Sequence, residues 1–128
     1  MVIVDSNIWI RYLRDPDSES GSALQTLLDA DQVLMTGVVL AEVLQGARAE
    51  REYDALLTRL TMLPYREMSK QTWVSAGRIA LRLRMQGRLT PLTDLSIAAL
   101  ALEGDHEVFS LDGHFDRIRE LKRYSQVS

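Results

Sequence analysis

Short apolar runs rich in β-branched residues alternate with longer amphipathic segments from one end of this chain to the other. The runs are Met1–Val4, Val33–Met35, Thr61–Tyr65 and Val108–Ser110. Each is too short for a helix and reads as a buried strand. Pro64 sets the third at a sheet edge or ends it there. Between the runs the spacing predicts helices: Ile8 to Leu13, a segment carrying Leu24, Leu27 and Leu28 with Ser22 as its cap, Thr36-Gly37 to about Gln45, Glu50 to Leu60, Ser69 to Gln86, and Asp94 to Leu102 capped by Thr93. Asp15 to Ser22 reads as a loop, and Phe115 to Arg119 turns away from the last strand. Successive strands joined by helices pair in parallel, because the crossover returns the chain to the same end of the sheet. The expectation is a three-layer α/β/α sandwich with a mainly parallel central sheet. At 128 residues it is one domain, 1–128.

Within the longest helix, Trp73, Ala76, Gly77, Ala80 and Leu83 are expected to form the apolar stripe. Trp9 and Trp73 read as core.

Composition removes whole classes of chemistry. There is no Cys, which excludes disulfides, thiolate zinc sites, iron–sulfur ligation and cysteine nucleophiles. Two His are too few for a His-rich metal site. No stretch approaches the ~20 apolar residues of a membrane span, and Asp5 interrupts the apolar start that a secretory signal needs. The expected location is the cytosol. The formal charge of −3 argues against coating nucleic acid through overall charge. It leaves a nucleic-acid enzyme open, because the distribution of charge matters more than its sum.

Four carboxylates occupy comparable places. Asp5 ends the first strand, Glu42 lies in the helix after the second, Asp94 opens a helix, and Asp112 follows the last strand. Carboxyl ends of parallel strands share one edge, which is where ligands bind in such sheets. Converging carboxylates repel one another, and a hard divalent cation such as Mg²⁺ or Mn²⁺ relieves that repulsion with oxygen ligands. Such an ion polarises a phosphoryl oxygen and lowers the pKa of bound water. Ser6 and Asn7 add neutral groups able to position a phosphate.

Each acid also has a purely structural reading. Asp5 suits a loop start bonded to backbone N–H groups, Asp94 a helix N-terminal charge, and Asp112 before Gly113 a turn. Glu42, among Val39, Leu40, Ala41, Val43 and Leu44, wants a partner unless it faces solvent. His106 and His114 read as surface or satisfied polar residues.

With these segments on the page, the chain resembles the PIN-domain ribonucleases, and most closely the VapC-type toxins of toxin–antitoxin pairs. MVIVDSNIWI resembles the family's opening strand, TGVVLAEVLQG the segment with its helix glutamate, LRMQGRLTPLTDLSIAALAL the stretch with its central aspartate, and VFSLDGHFDRI its terminal strand. The resemblance spans nearly the whole length and implies a PIN-like fold. Asp5, Glu42 and Asp94 then form an acidic triad around Mg²⁺ or Mn²⁺, with Asp112 as fourth acid. The implied activity is metal-dependent hydrolysis of RNA phosphodiesters, in transfer, ribosomal or messenger RNA. The implied partners are a cognate antitoxin that occludes the site and a second copy of the chain. The terminal motif departs from the family pattern. Ser110 stands where Thr is usual and keeps the hydroxyl. His114 replaces an acid before Phe115 and becomes a candidate for contact with substrate or its water network. Asp116 follows that Phe near the site.

Charge is unevenly spread. Arg66 to Arg88 holds Arg66, Lys70, Arg78, Arg82, Arg84 and Arg88 against Glu67 alone, whereas Leu89 to Asp116 has no Lys or Arg. The first span would attract phosphates that the second receives, with Arg82 and Arg88 as substrate-facing candidates; a solvated helix face or a dimer interface is the competing reading. Rival classes fit less well. An aspartyl-phosphatase wants a second Asp two positions after the first, and position 7 is Asn. A receiver domain wants paired acids at the first strand and a lysine near the last. A non-toxin PIN nuclease in RNA processing and a PIN fold that only binds RNA or protein remain as alternatives. Setting aside the four acids leaves 14 acidic against 15 basic residues, so the net negative charge reports those four positions.

Overall fold

The computed structural model describes residues 1–125. Its elements run β1 (Val2–Val4), α1 (Ser6–Arg14), α2 (Glu19–Asp29), β2 (Val33–Thr36), α3 (Gly37–Leu44), α4 (Glu50–Leu60), β3 (Tyr65–Arg66), α5 (Lys70–Met85), α6 (Leu92–Gly104), β4 (Glu107–Phe109), a 3₁₀ helix (Gly113–Arg117) and β5 (Lys122–Arg123). The five strands form one sheet in the order β3-β2-β1-β4-β5, and every pairing is parallel. The sheet lies between helices, the three-layer arrangement expected. The chain steps outward from β1 through β2 to β3, then crosses back over β1 to reach β4. Right-handed crossovers therefore place the connections before and after this reversal on opposite faces. The crevice between the carboxyl ends of β1 and β4 is the switch point, where such sheets bind ligands.

The core is aliphatic. Ile3, Ile8, Leu24, Met35, Ile97 and Val108 are fully buried, each stabilising the fold by about 1.5–3 kcal/mol relative to exposure. α6 is buried continuously from Asp94 to Ala101, as a helix apolar on all sides must be. It packs against α5, while α1 packs against α2.

The structure corrects several expectations. Ser18 rather than Ser22 caps α2, its Oγ accepting from Gly21 N at 3.1 Å, so the helix starts earlier and the loop is shorter. Residues 61–64 turn out of α4, and the edge strand is Tyr65–Arg66. α6 begins at Leu92 with Pro91 in the capping position, so Thr93 lies inside its first turn and caps nothing. β5 was not foreseen at all. On α5 the buried face is Thr72, Ala76, Ile79 and Leu83, and Trp73 is 47% exposed rather than core. The reason is Thr72, a polar residue at a fully buried position. It joins Ser69 in a reciprocal capping box and donates to the Glu103 carboxylate at 2.9 Å. Satisfied in this way, it takes the inward position and rotates Trp73 outward. His106 is half-buried, and its two ring nitrogens are buried without a hydrogen-bond partner, so it is not the satisfied polar residue expected, and burial pushes its pKa down.

Candidate functional site

Apolar β1 carries the chain through the core and releases it at Asp5, where the backbone is still extended and α1 starts. Asp5 is the N-cap: one oxygen accepts from Ser6 N at 2.8 Å and the other from Ser110 Oγ at 2.7 Å. Its carboxylate is 5% exposed. Asp5 therefore starts a helix rather than a loop, held by one backbone N–H and one hydroxyl rather than by backbone groups alone, at the carboxyl end of β1 beside the switch point.

Ser110, just past β4, is the hub. Its hydroxyl donates to Asp5 and accepts from Asn7 Nδ2 at 3.1 Å and Asp112 N at 3.0 Å, which uses its donor and both acceptor sites. Asn7 Oδ1 accepts from Leu111 N at 3.3 Å. Ser110 and Asn7 thus tie the end of β1 to the end of β4. Asp112 caps the 3₁₀ helix by accepting from His114 N at 2.9 Å, and the fully buried Phe115 anchors that turn.

The other two acids arrive on helices. Asp94 lies in the first turn of α6 and is 7% exposed. Burial pushes its pKa up, the hydrogen bond with His114 pulls it down, and the charges of Asp5 and Asp112 push it up again. Glu42 is half-buried on α3. Burial also raises its pKa, a hydrogen bond from Ser6 opposes this, and Asp5 and Asp94 add repulsion. Asp5 and Asp94 thus act on Glu42, and Asp5 and Asp112 on Asp94, while the carboxylates close enough to share one ion are Asp94 and Asp112. Among the described residues, no Lys or Arg forms an ion pair with any of them.

His114 enters the middle of this group. Its Nδ1 stands 2.8 Å from Asp94 Oδ2 and 3.0 Å from Asp112 Oδ1. One ligand atom from each of the three residues lies within 4.8 Å of the others, a set able to hold a metal ion. The donor set of carboxylates, one imidazole and no competing cation fits a divalent ion.

The remaining candidates lie elsewhere. Arg82 gives its guanidinium to Glu120 in two hydrogen bonds of 3.1 and 3.2 Å, and neither partner belongs to the acid group. Arg88 is exposed on the turn after α5. Asp116 is exposed and pairs with Arg123 at 2.6 Å, outside the group of Asp94, Asp112 and His114. Arg123 is the structural residue that sequence reasoning missed. From β5 it also donates to the Ser110 carbonyl at 2.9 Å and lies 5.6 Å over the Phe115 ring. It braces the turn that carries Ser110, Asp112 and His114. No local signal marks it, because its strand has only two residues and no apolar run.

A family model described as PIN domain matches residues 2–121. Among curated proteins, the chain is 24% identical over 132 residues to "Ribonuclease VapC11" of Mycobacterium tuberculosis, an alignment covering 100% of this chain and 98% of that protein. Among solved structures it is similar to VapBC-1 from nontypeable Haemophilus influenzae, with a TM-score of 0.81, 23% identity and full coverage of both chains. It is also similar to DNA-bound VapBC from Salmonella typhimurium, with a TM-score of 0.82, 18% identity and 98% of each chain covered.

Proposed function

The chain belongs to the PIN-domain family, and on that premise we propose that it is a Mg²⁺- or Mn²⁺-dependent endoribonuclease and the toxin of a toxin–antitoxin pair. One observation carries this reading: Asp94 and Asp112 present oxygens close enough to share an ion, Asp5 and Glu42 repel or are repelled by Asp94, and among the described residues no Lys or Arg is paired to any of the four. A fold gains nothing from holding like charges together, so the arrangement serves a cation and the phosphate that cation attracts.

A divalent ion bound there would polarise the scissile phosphate and ease deprotonation of a water. The chain's own residues do the rest. Asp94 and Asp112 present oxygens beside His114. Asp5 and Glu42 approach from the ends of β1 and α3, and each is oriented by a bond with Ser6. Ser110 and Asn7 hold the two strand ends at a fixed separation, which keeps the acids from relaxing apart. Arg88 remains a candidate for phosphate contact. Arg82 becomes one only on leaving Glu120.

The surface supports a protein partner. A hollow of about 260 Å³ is lined by the apolar Ile10, Leu13, Val43 and Leu56 and by the charged Arg14, Arg48 and Glu52. A second hollow shares Ile10 and Arg14 and reaches Asn7 and Leu111 at the acid site. An antitoxin segment seated along this path would end at Asn7 and Leu111, beside the acids. Trp73, Val74, Leu81 and Met85 leave α5 with an exposed apolar face, which supports a homodimer. No described helix is long and apolar enough to cross a membrane; the proposed RNA substrate and antitoxin partner support a cytoplasmic location.

The test is cleavage of total transfer, ribosomal and messenger RNA by the wild type, Asp5→Asn and Asp94→Asn, with Mg²⁺, Mn²⁺ or EDTA. Cleavage that needs a divalent ion and both carboxylates is expected. Cleavage that survives EDTA, or proceeds equally in the variants, sinks the metal mechanism.

A further inference from the structure

The Nδ1 of His114 faces two carboxylate oxygens at once, at 2.8 Å and 3.0 Å. A ring nitrogen offers either one N–H or one lone pair, so a single proton cannot serve both oxygens equally. The geometry has a second meaning. Two ligands at right angles on an ion with bonds of about 2.1 Å stand about 3.0 Å apart. The His114–Asp94 and His114–Asp112 separations therefore match two edges of an octahedral coordination shell. The approach of His114 is also built in. Its backbone N–H is fixed by the Asp112 carboxylate, Asp112 N is fixed by Ser110, and the next residue, Phe115, is fully buried.

Resting on the reading of the acid group as a cation site, we infer that His114 is a direct ligand through Nδ1, beside Asp94 and Asp112, and that it biases the site toward Mn²⁺ and later first-row ions over Mg²⁺. Mg²⁺ favours oxygen ligands and retained waters, whereas imidazole adds affinity for the transition ions. His114 thereby turns an all-oxygen site into one that discriminates between ions by ligand softness.

The test is Mn²⁺ titration of the full chain followed by electron paramagnetic resonance, with Mg²⁺ competition, in the wild type, His114→Ala, His114→Gln and Asp94→Asn. Pulsed spectra of the wild-type Mn²⁺ complex are expected to show nitrogen hyperfine coupling that both His114 variants lose. Mn²⁺ affinity should fall by about tenfold or more in those variants, with a smaller change for Mg²⁺. Circular dichroism in EDTA checks folding; if the alanine variant does not fold, the wild-type spectrum and His114→Gln decide. A wild-type Mn²⁺ complex without nitrogen coupling, or equal losses for both ions, overturns the ligand assignment and leaves the acid site standing. Mn²⁺ binding that is unchanged by Asp94→Asn overturns the acid site itself, and the His114 inference with it.

Discussion

Asp94 and Asp105 stand at opposite ends of α6 and have opposite fates. The helix dipole favours a carboxylate at the first turn and disfavours one at the last, by about 0.3–1 kcal/mol at exposed positions. The shifts that their surroundings impose run the other way. Asp94, at the favourable end, is pushed up by burial and by Asp5 and Asp112. Asp105, at the unfavourable end, is pulled down by a hydrogen bond from Lys122 at 2.9 Å and by that residue's charge. Glu120 is likewise held low, by its own backbone N–H and then by Arg82. Around β5 the acids have cations, and at the carboxyl edge of the sheet they have one another. Local neighbours outweigh the helix dipole in both places, and only the second arrangement leaves a demand for an external cation.

Neutralising each end of α6 in turn is the strongest way to break this comparison. Asp94→Asn is expected to reduce RNA cleavage by at least about a hundredfold, while Asp105→Asn stays within about twofold. Both rates come from one labelled RNA, and equal losses would erase the distinction.

Cation binding sharpens it next. Mn²⁺ at about a hundred times its Kd should stabilise the wild type by about 2.7 kcal/mol, a rise of several degrees in Tm that EDTA reverses. Asp94→Asn should show a much smaller rise. A wild-type Tm indifferent to Mn²⁺ would mean that the acids hold no ion.

The pH dependence separates the two groups by sign. Asp94 and Glu42 have folded pKa values above their ordinary 3.8 and 4.5. Their contribution to stability is fully present below those values and is lost as pH rises through the raised ones. Asp105 and Glu120 are lowered, so theirs is present above the ordinary values and is lost as pH falls through the lowered ones. In EDTA, Glu42→Gln should therefore raise Tm more near about pH 7 than near about pH 4. A gain confined to the acidic end would reverse the assignment. The smallest effect is expected for Arg82→Ala, which breaks an exposed ion pair and should move Tm by about 1 °C or less. A larger fall would give the β5 side more weight than solvent-screened pairs carry.

Much of the fold was legible because its signals are local. β1 announces itself in Val2-Ile3-Val4, α4 was bounded at Glu50 and Leu60, and Gly87 closes α5 at φ +76°, where a residue without Cβ is favoured. Errors gathered where a distant partner changes what a residue can do. Thr72 lies outside the expected apolar stripe and takes a buried place because Glu103, on another helix, satisfies its hydroxyl. Tyr65–Arg66 and Lys122–Arg123 are strands only because β2 and β4 lie beside them. Two-residue strands have no periodicity to read.

The acid site divides the same way. Carboxylates at the ends of apolar runs are a sequence pattern, and a parallel sheet sends such ends to one edge. The roles of Asn7 and Ser110 in pinning β1 to β4 needed the strand order, since these residues lie far apart in the chain and adjacent in space. Arg82 had the right charge and the wrong neighbour, and His114 stood out only by its place before Phe115, with nothing local to set it between Asp94 and Asp112.

By itself the sequence determined the alternation of strand and helix, the parallel sheet and the acids that close its strands, because backbone periodicity and apolar burial act over a few residues. The tertiary structure decided the reversal of strand order at β1, the brace from Arg123, the outward Trp73 and the imidazole between Asp94 and Asp112. Each depends on which groups meet across the fold, and packing and electrostatics settle that only once the chain has closed on itself.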